Sequence, residues 1–300
     1  MILAFVAVLF GLCIGSFLNV CIYRLPLGRS VVTPRSCCPK CQQVIPWYRN
    51  IPVFSYVCLK GKSKCCQSPI SLIYPSVELL TGLIFGLNFY YSAPSIALSN
   101  SVFMSSLVVA SFIDLEHLYI PDTITLGGIL LSFCIAFVWP FLSGSNFSIE
   151  ILALSFVNGL LPTITSASLS AGLLFLIACF AEKVFKQEAL GLGDVKLLGF
   201  IGAYCSYYGA IFAIFVGSLL ALVILIPLLS LQKILKKPLH GSTQWNKQCQ
   251  LDPMLAQQAK NGKGWGIRIP FGPWLCAGAI LYLFWQEGLL QWIKILDLIQ

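Results

Sequence analysis

The sequence predicts an all-α polytopic membrane protein of about eight transmembrane helices with a cysteine-containing cytoplasmic loop domain, and three observations predict it. Hydrophobic residues make up 58% of the 300 positions and charged residues only 10%, which leaves too little polar surface to cover a water-soluble core. Apolar runs recur between short polar breaks, and a spanning helix needs about 20 such residues at about 1.5 Å each. The basic residues, finally, are gathered into two loops that hold almost no acid.

The first run, residues 2–23, has no basic segment before it and no small-residue cleavage pattern after it, and Arg24 and Arg29 follow it closely. It is therefore expected to be a retained helix rather than a secretory signal. Its Gly11, Gly15 and Ser16 suit a close approach by a second helix. Residues 24–74 form a polar loop domain with eight basic residues and no acid, the composition of a loop held in the cytoplasm.

The remaining residues, 75–300, carry the other seven runs at 75–91, 96–113, 123–142, 160–180, 195–205, 210–231 and 270–285. The 195–205 run is too short to cross unless its neighbours extend it. A second basic loop, residues 232–268, sets seven Lys and Arg against Asp252 alone. If all eight runs cross, both basic loops share the cytoplasmic side, both chain termini lie outside, and the segments 114–122 and 181–194 face the cytoplasm. The net charge of +8 is then a topology signal, and no nucleic-acid partner is expected.

Ionisable groups at membrane level are costly, so each marks a function or a paired contact. Two places stand out: Asp114 at the end of the third run, followed by Glu116, His117 and Asp122, and Asp194 in Gly191-Leu192-Gly193-Asp194 at the start of the sixth. Glycines beside Asp194 let another backbone, such as an extended peptide, come close to its carboxylate. Two aspartates brought together suit peptide hydrolysis, because like charges about 3 Å apart cannot both ionise. One keeps a proton and polarises the scissile carbonyl while the other activates water. The plainer reading is that both acids cap helices or pair with Lys183, Lys186 and Lys196, and that Glu116, Asp122, Glu182 and Glu188 are structural interfacial acids.

The chain resembles the type IV prepilin peptidase family, the G-x-G-D class of intramembrane aspartyl proteases. The likeness runs in order through Gly15-Ser16-Phe17-Leu18-Asn19-Val20, Tyr23-Arg24-Leu25-Pro26, Cys38-Pro39-Lys40-Cys41 and Asn50-Ile51-Pro52-Val53-Phe54-Ser55-Tyr56. It continues through Tyr74-Pro75, Glu78-Leu79-Leu80, Asp114, Gly191-Leu192-Gly193-Asp194 and Ile269-Pro270-Phe271-Gly272-Pro273. The resemblance implies Asp114 and Asp194 as catalytic residues in a bacterial inner-membrane enzyme whose active site faces the cytoplasm. It implies cleavage of the leader from prepilins and pseudopilins after a glycine. Many members also methylate the new N-terminal amine with S-adenosylmethionine as donor. Composition and spacing point to neither the donor nor its pocket.

Six of the thirteen cysteines lie in apolar runs, where cysteine packs as a small hydrophobe. Cys37, Cys38 and Cys41, with Cys65 and Cys66, share the first basic loop. Two short thiolate clusters in a reducing compartment suggest tetrahedral zinc, a structural metal that staples a segment too polar to fold alone. The family's pattern has two C-x-x-C pairs, and this chain has Ser63 where the third cysteine belongs. Cys38, Cys41 and Cys66 are expected ligands, with Cys65 as the substitute for the fourth. The competing class is a transporter or cation relay built on Asp114 and Asp194, against which stands the position of both acids at cytoplasmic ends. A catalytically silent assembly factor is the third reading.

Overall fold

A computed structural model describes residues 1–33, 35–38, 40–41, 43–142, 156–185, 190–235 and 270–299. The eight expected runs fall on seven long helical elements: α1 (Ile2–Arg24), α3 (Ile73–Tyr91), α4 (Pro94–His117), α5 (Asp122–Leu142), α6 (Leu161–Phe185), α7 (Leu192–Leu235) and α8 (Gly272–Ile299), with a short α2 (Phe54–Cys58) in the polar loop. The 195–205 and 210–231 runs are the two arms of α7, two helices that meet without a loop at a break at Ser206 (φ 63°, ψ 172°). Four helical stretches among the described residues are long and apolar enough to cross a membrane: Ile2–Leu27, Pro94–His117, Phe156–Val184 and Leu192–Pro227. Most of the second basic loop, with Lys186 and Glu188, lies outside the described residues.

Two compact units divide the chain. The first comprises Met1–Phe112 with Gln286–Gln300, and the second Ile113–Trp285.

In the first unit α1 lies along α3 at close range. A Cβ on Gly11 would stand 2.8 Å from the Cβ of Phe85 and 2.9 Å from the Cα of Gly82, and one on Gly15 would stand 2.7 Å from the Cα of Glu78. The expected close approach is therefore made by glycine on both helices. Two buried amides in this apolar stack find partners: Asn19 donates to the carbonyl of Tyr74 at 3.0 Å, and Asn88 donates to the hydroxyl of Ser101 at 3.1 Å. Beyond α1, a 3₁₀ turn (Leu25–Leu27) ends at Gly28 with φ 62°. The buried Arg24 guanidinium closes the following segment by donating to the carbonyls of Ser30 (3.0 Å) and Arg35 (3.5 Å).

In the second unit α7 is the hub, packed by α5 and α6. A Cβ on Gly128 of α5 would meet the Phe200 ring at 2.5 Å, one on Gly199 would meet Ala171 of α6 at 3.3 Å, and one on Gly217 would stand 2.6 Å from the Trp274 carbonyl oxygen of α8. These close seams hold the start of α7 and the start of α8 in fixed positions relative to α5, and both starts carry site residues.

Candidate active site

Asp114 sits near the C-terminus of α4, 5% exposed. Leu118 ends that helix: its N–H donates to the Asp114 carbonyl at 2.9 Å while its φ is +53°. This is the left-handed stop usually given to glycine, and for leucine it costs roughly 1–2 kcal/mol. Strain of this kind gathers at functional sites. The chain then turns through buried Ile120 and Pro121, and α5 starts at Asp122.

Asp194 lies in the first turn of α7, its N–H donating to the Gly191 carbonyl at 3.1 Å. It is half-buried, and its charge acts directly on the Asp114 carboxylate. The two predicted aspartates, 80 residues apart in sequence, are thus brought into electrostatic reach. Lys196 does not pair with either of them; it binds Asp122 at 2.7 Å in a half-exposed ion pair that ties α7 to α5. The plainer reading of Asp122 as a structural acid therefore has a partner, whereas Asp114 is met by a backbone group.

That group was not legible in the sequence. The N–H of Gly272, at the start of α8, donates to Oδ2 of Asp114 at 3.1 Å. A Cβ on Gly272 would stand 2.6 Å from the same oxygen and 3.1 Å from Cδ1 of Ile120. A Cβ on Gly193 would touch Ile120 at 3.5 Å. Ile120 is therefore the apolar wall shared by the Asp114, Gly193 and Gly272 segments. A Cβ on Gly191 would come no closer than 3.9 Å to the Gly193 nitrogen and 4.0 Å to Oδ2 of Asp194, which leaves room for an extended chain beside that carboxylate. The available signal was Phe271-Gly272-Pro273, a glycine one residue ahead of a proline that fits a first helical turn.

The cysteine loop makes a separate site in the first unit. Two tight turns are closed by the bridges Cys37 to Val44 and Lys62 to Pro69, with the Cys38 N–H on the Gln43 carbonyl (2.9 Å) and the Ser63 N–H on the Ser68 carbonyl (2.8 Å). They bring the sulfurs of Cys38, Cys41, Cys65 and Cys66 within 4.8 Å of one another. The Cys38–Cys66 separation is 3.7 Å, Cys41–Cys65 3.3 Å and Cys65–Cys66 3.9 Å. A tetrahedral ion with bonds of about 2.3 Å needs edges of about 3.8 Å, so the four thiols fit a metal. Cys65 lies within reach of a fourth corner despite being adjacent to Cys66. Ser63 instead sits behind the cluster, 3.3 Å from the Cys66 sulfur. The Ser63 and Ser68 hydroxyls pull the Cys66 thiol down to about 6, and the Cys41 backbone N–H, followed by that of Lys40, lowers Cys38. Cys41 is pushed up to about 12: the Gln43 N–H draws it down, but the neighbouring thiols, Cys65 first, outweigh that pull. Four clustered thiols cannot all lose their protons without a cation to take their place.

Glu78, quoted in the sequence only as part of a motif, is an acid of α3 that touches the polar loop. Its carboxylate accepts the Val53 N–H at 2.7 Å and hydrogen-bonds the Ser16 side chain. Val53 is held at φ +58°, a genuine outlier for a β-branched residue.

The chain matches two family descriptions: "Bacterial Peptidase A24 N-terminal domain" over residues 9–92 and "Type IV leader peptidase family" over residues 101–226. It is 38% identical over 207 residues to the prepilin leader peptidase/N-methyltransferase of Myxococcus xanthus, an alignment that covers 66% of this chain and 54% of that relative. It is 33% identical to the protein of the same name from Neisseria gonorrhoeae, covering 72% of this chain and 79% of the relative. With that of Aeromonas salmonicida it is 28% identical over 95% of this chain and 91% of the relative. No solved structure matches.

Proposed function

Because the chain belongs to the type IV leader peptidase family, we propose that it is a prepilin leader peptidase and N-methyltransferase, with Asp114 and Asp194 as the peptidase pair. The observation that carries the peptidase half is the convergence of Asp114, Asp194 and the Gly272 N–H on one small space walled by Ile120. An extended prepilin junction enters beside the bare backbone of Gly191 and Gly193. One carboxyl keeps its proton and hydrogen-bonds the scissile carbonyl; the other takes a proton from water as that water attacks, and the leaving amine is protonated in turn. The new amine is the methyl acceptor. The named relatives are enzymes, and the relay reading is set aside.

The finer points belong to the same reading. Eight spans put both basic loops and the aspartates at the cytoplasmic face of the bacterial inner membrane. The substrates are prepilins and pseudopilins, and the donor is S-adenosylmethionine. Zinc is held by Cys38, Cys41, Cys65 and Cys66 as a closed, structural ion with no open position for water.

One assay tests activity and orientation together. A prepilin carrying a Gly-Phe junction is offered from the aqueous side to inverted and to right-side-out inner-membrane vesicles containing this chain. Processing and N-methylation are expected in inverted vesicles only. Equal cleavage by right-side-out vesicles would place the aspartates on the wrong face, and no cleavage by either would end the peptidase reading.

Gly272 supplies a further expected result. Gly272→Ala drives a Cβ into the Asp114 carboxylate, and misplacing a reacting group by about 1 Å costs on the order of 10²-fold. The cleavage kcat should fall by about that factor with KM within a few-fold of wild type. An unchanged kcat would detach Gly272 from the site.

A further inference from the structure

Ile120 stands between the segment that carries Asp194 and the one whose N–H binds Asp114, and the distances around it describe a taper. On the Asp194 side, a carbon added to Gly193 would stand 3.5 Å from Cβ of Ile120, 3.7 Å from Cγ1 and 3.8 Å from Cδ1. Those are ordinary van der Waals separations, so one carbon fits there. On the Asp114 side, a carbon added to Gly272 would stand 3.1 Å from Cδ1 of Ile120 and 2.6 Å from Oδ2 of Asp114. That gap does not admit even a methyl group. The wall is also stiff. Ile120 is 4% exposed, and its branched Cβ restricts χ1. Pro121 follows it and confines the Ile120 backbone to extended conformations, while the Pro121 carbonyl is tied to the start of α5 by the Ile124 N–H at 3.0 Å. On the other side the left-handed Leu118 fixes where the chain leaves α4. A side chain held from both ends does not swing aside for a bulkier substrate.

We propose that Ile120 is the specificity-determining residue of the peptidase site, the wall that excludes a side chain from the residue before the cut, an assignment that rests on the peptidase reading above. Hydrolysis brings the scissile carbonyl carbon against the carboxyl pair, and the Cα of the same residue follows one bond behind. A hydrogen on that Cα fits the narrow end of the taper, whereas a methyl there meets Cδ1 of Ile120. The residue after the cut lies on the other side of the carbonyl, along Gly191, where an added Cβ would meet nothing closer than 3.9 Å. A large apolar residue is therefore accepted after the cut and a glycine is demanded before it. Ile120 makes no proton transfer and touches the substrate by contact alone, so its effect falls on the choice between substrates.

The test is a ratio of two substrates. Full-length protein in detergent is given prepilins with a Gly-Phe or an Ala-Phe junction, as wild type, as Ile120→Val, which deletes Cδ1 alone, and as Ile120→Ala, which leaves only Cβ. In wild type kcat/KM for the glycine junction should exceed that for alanine by a factor on the order of 10² or more. The factor should fall at least tenfold in Ile120→Ala and about threefold in Ile120→Val, because the alanine junction gains relative to glycine. A variant that merely loses folded protein, or shifts a carboxyl, slows both junctions together and leaves the ratio where it was. The wild-type ratio in both variants overturns the assignment. That is also the outcome if glycine is required for its backbone freedom rather than its size, since alanine then stays excluded whatever stands at position 120. If Ile120→Ala does not fold, Ile120→Val decides alone. A wild type that cleaves neither junction ends the peptidase reading itself, whereas one that cleaves the glycine junction with a ratio indifferent to Ile120 ends only this assignment.

Discussion

Asp114→Asn and Asp194→Asn should each reduce prepilin cleavage by a factor on the order of 10⁴, because a carboxyl pair that shares one proton loses its chemistry when either member becomes an amide. The substitution is close to isosteric. At position 114 the amide oxygen still accepts the Gly272 N–H, now 3.1 Å from Oδ2, so the buried backbone group keeps a partner and the protein should accumulate in the membrane at wild-type level. Cleavage is measured in detergent on a Gly-Phe prepilin, with the protein quantified by immunoblot. Glu116→Gln and Asp122→Asn are the controls. Asp122 loses only a half-exposed ion pair with Lys196, an interaction worth about 0–1 kcal/mol, and its cleavage rate should stay within a few-fold of wild type. Peptidase activity above a tenth of wild type in either Asp114→Asn or Asp194→Asn would remove that residue from the catalytic pair.

The second large effect concerns the metal. Purified protein should carry one zinc per chain, and serine in place of Cys38, Cys41, Cys65 or Cys66 should each lower that content severely. Structural zinc contributes on the order of 10 kcal/mol or more to the order of the segment that binds it. Cys65→Ser is the informative variant, since it alone separates a four-thiolate site from a three-thiolate one completed by another ligand. Ser63→Ala, which removes only a hydroxyl behind the Cys66 sulfur, should keep its zinc. A zinc held by four thiolates would have no open position, so its loss should reach methyl transfer before cleavage. Metal is measured by mass spectrometry of the purified chain, alongside both rates. A wild type free of zinc and fully active would refute the site.

Much of this was open to reading from composition. Long apolar runs can only be helices in lipid, and α1, α4 and α6 lie where the runs placed them. The two aspartates stood out because charge at a membrane edge is expensive. What escaped was long-range or backbone-borne. The Gly272 N–H joins Asp114 across 158 positions, and a backbone donor leaves no mark in side-chain pattern. The cysteine register could not be settled from spacing, because adjacent Cys65 and Cys66 reach two corners of one tetrahedron only when the turn at Lys62 to Pro69 splays their side chains. The 195–205 run looked too short to be a span, and the helix through it does break at Ser206 (φ 63°, ψ 172°), beyond which a second helix runs on to Leu235. Hydropathy registers that break but not that the two helices meet without a loop.

The glycine seam between α1 and α3 also has a consequence for biosynthesis. Its contacts run from Gly11 to Gly86, so every residue of the seam, with the whole cysteine loop between its two helices, has left the ribosome while most of the chain is still unmade. Chains fold from the N-terminal side during synthesis, at about 5–20 residues per second. Because each of these glycines meets atoms of α1 or α3 alone, the seam needs no later side chain to complete it. The cysteine loop therefore acquires its helical frame before Asp194 exists, and an arrested nascent chain that exposes residues 1–92 contains all four of the clustered thiols, Cys38, Cys41, Cys65 and Cys66.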